Sequence, residues 1–159
     1  MSTLLSRFAK RMLSTITSAS AGQVIANDYF FDITAAQINA GEIIDLGVLP
    51  AGHTVSDAIL IADDLDTGAA AITLDVGIMS GTPGDDVSVR TCGAEIFSGS
   101  VGGQAGVVGR PTLASAFKIL PTDADRSIGV KIVVDAATAA AGRIRLRVFM
   151  HASDPNVAF

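Results

Sequence analysis

The chain has 159 residues, a net charge of −5, 49% hydrophobic and 17% charged residues; that length fits one domain and buries roughly two thirds of the surface its unfolded form exposes. Such a composition excludes a disordered chain, and a pI near 4.7 excludes a body that holds nucleic acid, because neutralising phosphates needs a basic face. The single Cys92 excludes an intramolecular disulfide framework and suits a reducing compartment.

A mean hydropathy of +0.49 signals more apolar surface than one small domain hides, so self-association or a large partner is expected. No apolar run reaches the ~20 residues of a membrane span, so a soluble chain is expected.

Residues 1–22 carry Arg7, Lys10 and Arg11 and none of the 16 acidic residues. Leu5, Phe8, Met12 and Ile16 recur at spacings of three and four, which predicts a short amphipathic helix. A segment of that length cannot bury its apolar side alone, so an arm that attaches to something larger is expected. Its composition also fits a mitochondrial presequence better than a secretory leader, since residues 12–18 are rich in Ser and Thr. Residues 18–22 read as a small-residue link, which places the domain boundary between an arm, 1–22, and a body, 23–159.

The body changes period. Tyr29, Phe31 and Ile33 alternate with Asp28, Phe30, Asp32 and Thr34, which predicts a strand with one large apolar face. Residues 55–62 carry apolar side chains on both faces, as in a strand inside a packed sandwich. Ile72, Leu74, Val76 and Ile78 predict a third strand. Turn residues punctuate these runs at Asn39-Ala40-Gly41, Pro50-Ala51-Gly52, Asp66-Thr67-Gly68 and Pro83-Gly84-Asp85. Residues 98–110 are Gly-rich and read as an irregular excursion, and 113–120 fit a strand or one helical segment equally. Ile128, Val130, Ile132 and Val134, then Ile144, Leu146, Val148 and Met150, predict two strands joined as an antiparallel hairpin, with Asp135 opposite Arg143 and Lys131 opposite Arg147. Seven or eight short strands without long helices predict an all-β fold, a β-sandwich of jelly-roll type with an N-terminal amphipathic helical or extended arm.

Reactive signatures are missing. Gly103, Gly106 and Gly109 are spaced by three, which is neither GxGxxG nor a P-loop. No GxSxG, HExxH or CxxC occurs, and His53, His151 and Cys92 fall far apart in sequence, so an enzyme, a cofactor and a metal site are not expected. Asp57, Asp63, Asp64 and Asp66 gather before Gly68, but their spacing departs from a calcium loop, and solvated turn carboxylates explain them better. Arg143, Arg145 and Arg147 form a positive row on the last strand. It would meet an acidic partner surface or pair with carboxylates of its own sheet.

Ala35-Ala36-Gln37, Gly41-Glu42-Ile43-Ile44, Leu49-Pro50-Ala51-Gly52, Val55-Ser56-Asp57-Ala58, Asp63-Asp64-Leu65-Asp66, Thr73-Leu74-Asp75-Val76-Gly77 and Val101-Gly102-Gly103-Gln104-Ala105-Gly106 together resemble the small virion structural proteins of tailed bacteriophages, and within them the capsid decoration, or cement, proteins. The resemblance covers about residues 28–151 and rests on structural turns. It implies a protein made in the host bacterial cytoplasm and carried on the capsid exterior of the virion. There it would bind the major capsid protein and brace the lattice, as a homo-oligomer, a trimer before other orders, with no direct contact to nucleic acid or membrane. Under that reading Leu5, Phe8, Met12 and Ile16 insert between capsid or sister subunits, and Arg7, Lys10 and Arg11 pair with their carboxylates. A tail, collar or fibre-base component would use the same parts. A carbohydrate-binding module would need stacking aromatics, and one Tyr with no Trp supplies few.

Overall fold

The computed structural model describes residues 3–17 and 22–153. Nine strands form among them: β1 (Leu4–Leu5), β2 (Ile25–Ile33), β3 (Ile43–Leu49), β4 (His53–Ala62), β5 (Thr73–Ile78), β6 (Phe97–Ser100), β7 (Val107–Gly109), β8 (Arg126–Val134) and β9 (Gly142–Ala152). The helical segments described are two short 3-10 turns, Ala35–Gln37 and Ala114–Phe117. The strands build a five-stranded sheet, β1-β3-β8-β5-β6, and a four-stranded sheet, β2-β9-β4-β7. The fold is therefore all-β, in two sheets, as expected.

Period-two patterning decides which side chains meet. Ile128, Val130 and Ile132 of β8 and Leu74 and Val76 of β5 share one buried cluster with Tyr29 of β2, Leu60 of β4 and Ile144, Leu146 and Val148 of β9. The inner faces of the two sheets thus pack on each other around a single core. Tyr29 lies wholly inside, its hydroxyl donating to the Val48 carbonyl at 2.6 Å. Burial pushes the phenol up to about 12. Gly47 makes room for it, since a Cβ there would stand 2.5 Å from the Tyr29 ring.

The predicted β8–β9 hairpin does not form. β8 pairs with β3 and β5, whereas β9 pairs with β2 and β4. Both strands have one apolar face, and each belongs to a different sheet, so these faces meet across the core; residues 135–141 span the gap. Asp135 consequently accepts from the Ala40 amide.

The predicted amphipathic helix over 5–16 is also absent. Leu4 and Leu5 are drawn into the sheet beside Ile44 and Asp45 in parallel register. The Ser6 hydroxyl accepts from the Phe8 and Ala9 amides and starts a single turn, closed by Lys10 N–H to Ser6 O at 3.0 Å. Arg11 then takes φ +55 and ends it. Ser14, Thr15 and Thr17 continue without regular secondary structure, in keeping with the poor helix propensity of hydroxyl side chains. The predicted link, 18–22, lies outside the described residues except for Gly22.

Every residue of β3 is buried. Its outer side is roofed by residues 79–96, which fold back over the five-stranded sheet through Met79 N–H to Ser127 O and Gly93 N–H to Ile78 O, both 2.9 Å. Arg90 is the bolt of that roof. Its guanidinium reaches Asp45 at 2.6 Å and the Ser127 hydroxyl at 2.7 Å, and both members of the ion pair are completely buried.

Candidate partner-binding surfaces

The arm lies against its own body. Ser6 and Ala9 are buried, the Ser6 hydroxyl donates to the Leu46 carbonyl, and Phe8 sits edge-on to Tyr29 and Phe30 with ring centroids 5.1 and 5.6 Å away. The Ala9 carbonyl crowds Gly84, where φ is +80 and a Cβ would fall within 2.6 Å, so only glycine suits that corner. Of the four predicted apolar contacts, Leu5 and Phe8 are half-buried on the chain itself. Met12 and Ile16 remain 68% and 59% exposed. Asn27 holds the Ile16 backbone at both ends, accepting from its N–H at 2.9 Å and donating to its carbonyl at 3.0 Å. Among the predicted cations, Arg11 pairs with Asp125 at 3.2 Å, while Arg7 and Lys10 are exposed, with Arg7 close enough to lower the Asp32 carboxyl.

The arginine row lies on the outer face of β9. Arg143 makes two bonds to Asp32, at 2.6 and 3.0 Å, and stacks over Phe30 at 4.7 Å. Arg147 makes two to Asp28, both at 2.8 Å. These bonds hold both carboxyls below their ordinary range. Sequence reading set Asp135 opposite Arg143 and Lys131 opposite Arg147, and missed the carboxylates of β2. The signal was present: Asp28 and Asp32 are four apart, as are Arg143 and Arg147, and antiparallel register matches them in reverse. Arg145 stands between these pairs and opposite Ile61, with no ion pair among the described residues.

The acidic cluster divides. Asp66 is buried and spends both oxygens on the amides of Thr138, Ala71, Ala137 and Ile72, which hold its carboxyl far below the ordinary range. It ties the 66–72 loop to the crossing at 137–138. Asp63 accepts from the Arg143 amide at 2.8 Å, and Asp57 pairs with Arg110. No group of three or more His, Cys, Asp or Glu able to hold a metal ion occurs among the described residues. Burial pushes the Cys92 thiol up to about 12, so it stays protonated at neutral pH.

Two further features escaped the sequence reading. A groove of about 490 Å³ opens between β4, the end of β9 and residues 117–120, walled by Val55, Phe117, Leu120 and His151. The Ser56 hydroxyl and His151 Nδ1 are 2.6 Å apart at its side. The other is the tip of the 79–96 roof, where Val87 and Val89 are 90% and 84% exposed.

The arm, the arginine row, the groove and the apolar tip thus lie on the surface of a two-sheet sandwich. The chain superposes with TM-score 0.90 and 45% identity, over 94% of its length and 97% of the other's, on a chain from the capsid of Ralstonia phage GP4. It also matches a chain of the cyanophage Pam1 capsid asymmetric unit at TM-score 0.67 and 26% identity, over 88% and 92% of the two chains. No family model matches, and no curated protein does. These neighbours are capsid proteins, which makes this a structural protein of a phage virion. The chain belongs to the family of phage capsid proteins represented in the capsid of Ralstonia phage GP4.

Proposed function

We propose that the protein binds the outside of an icosahedral phage head and stabilises the major capsid protein lattice, as a capsid decoration or cement protein acting in several copies, trimers among the possible arrangements. Identity of 45% through nearly the whole chain with a component of the GP4 capsid carries this reading. The strand order supports a jelly roll. With β1 set aside, the sheets run β2-β9-β4-β7 and β3-β8-β5-β6, each seating late strands beside early ones as a rolled-up hairpin does. The net charge of −5 gives the body no DNA-binding face. The role is structural and not enzymatic, and it needs no cofactor.

Stabilisation follows from mass action, since a ligand that binds the assembled shell and not free subunits shifts the balance toward the shell. Repetition over a lattice multiplies weak contacts. Met12 and Ile16, with Arg7 and Lys10 beside them, supply the arm's contact; Leu5 and Phe8 hold it in shape from below. Arg145, flanked by Arg143 and Arg147, addresses a carboxylate on the neighbouring protein.

Co-sedimentation of the full chain with expanded shells that lack it tests the reading. Wild-type chain should saturate at many copies per shell, and Met12→Asp with Ile16→Asp should weaken binding tenfold or more without lowering Tm. Failure of the wild-type chain to bind, or saturation at only a few copies, would refute it.

A further inference from the structure

We propose that copies of this protein engage one another head to tail, the tip formed by Val87 and Val89 of one copy seating in the groove beside Phe117 and Leu120 of the next. The inference rests on the capsid reading above in one respect, that many copies stand side by side.

Val87 and Val89 are the most exposed large apolar side chains among the described residues, at 90% and 84%. They are nevertheless held in place. The Asp85 carboxylate accepts from the Val87 and Ser88 amides at 2.9 and 3.2 Å, and Arg90, one residue beyond, is locked to Asp45 in the interior. A rigid tip loses little freedom when it docks, which is the condition under which a small apolar contact yields binding.

The groove is equally fixed. The Thr54 hydroxyl donates to the Ile119 carbonyl, and Arg126 donates to the Leu120 carbonyl at 2.7 Å. Phe117 and Leu120 are thereby kept 50% and 53% exposed beside a space of about 490 Å³, ample for two valine side chains.

Charge selects the pairing. Asp86 is exposed next to the tip, Lys118 is exposed on the groove wall, and neither has an ion pair among the described residues. The tip is anchored over the outer side of the five-stranded sheet through Asp45 and Ser127, whereas the groove opens beside β4 and β9 of the other sheet. Tip and groove are thus two different surfaces of one copy. The contact is therefore heterologous and generates a closed ring or a continuing array, according to the rotation between copies.

Sedimentation velocity of the full chain across a concentration series, with site-directed crosslinking, tests this. Wild-type chain should self-associate as concentration rises. Val87→Asp with Val89→Asp, and separately Leu120→Asp, should weaken that association at least tenfold while Tm stays unchanged. Asp86→Lys and Lys118→Asp should each weaken it, and the two together should restore it. Under mild oxidation, chains bearing Val87→Cys mixed with chains bearing Leu120→Cys should give the mixed disulfide in excess over either like pair, with Cys92 remaining a thiol.

A chain that stays monomeric, or an oligomer indifferent to the tip and groove substitutions, overturns the inference. So does crosslinking of Leu120→Cys chains only to a shell protein, which would give the groove another occupant. Shell co-sedimentation of the same variants keeps the readings apart: association without shell binding sinks the capsid reading alone, and shell binding without association sinks this one alone.

Discussion

Asp45 and Arg90 are both wholly withdrawn from water, and Asp45 Oδ1 has no partner although Oδ2 collects Arg90, Ser127 and the Gly84 amide. A buried pair of this kind adds little net stability, yet losing one member strands a charge. Arg90→Ala should therefore cost about 3–5 kcal/mol in urea unfolding, and Asp45→Leu combined with Arg90→Met should cost less than the two single changes summed. Gly47 poses the opposite demand. Gly47→Ala would drive a methyl into the Tyr29 ring, and an overpacking loss of about 1–3 kcal/mol is expected by the same assay. Neither position announces itself in the sequence, because a charge or a glycine inside an apolar run reads equally well as an edge or a bulge.

Among the elements, alternation made β2, β5, β8 and β9 legible, each within a few residues of its observed bounds. β3 was not legible as a strand, since Ile43–Leu49 is buried on both faces and carries no period. β6 and β7 were hidden in a Gly-rich stretch too short to show one. Pairing was the harder problem: the hairpin expected between β8 and β9 satisfied every local rule, and only the packing of two sheets decides against it. The arm illustrates the same limit. Its three-and-four spacing is real, but β3 offers Leu4 and Leu5 a better partner than a helix does. Phe8 now anchors that element, so Phe8→Ala should cost about 2 kcal/mol from lost burial and ring contacts. Faster proteolysis within residues 13–17 should accompany it, whereas Met12→Ala should change neither quantity.

For the molecule as a whole, pH is the clearest lever. Asp66, bonded by the Thr138 amide and three others, and Asp28, Asp32 and Asp85 all titrate below the ordinary 3.8 in the folded chain. A depressed carboxyl contributes stability that is complete above its unfolded value and disappears as pH falls through the folded one. Tm should therefore hold steady from pH 7 down to about 5 and drop below about 4. Asp66→Asn should lower Tm at pH 7 and flatten that acid limb. The arginines opposite stay charged throughout this window and impose no slope of their own.

The position of the last two strands has a consequence for how the protein is born. β8 lies between β3 and β5, and β9 between β2 and β4, so the inside of each sheet is filled by residues translated after the strands that flank them. Until Gly142–Ala152 emerges, β2 and β4 have no neighbour in common, and the hydrophobic layer they would help to seal stays open. Folding of the sandwich must await β9, with most of its contacts made between distant parts of the chain. A nascent or prematurely terminated chain would present neither a finished groove nor a finished tip. The two sheets thus close only once β8 and β9 have both been made.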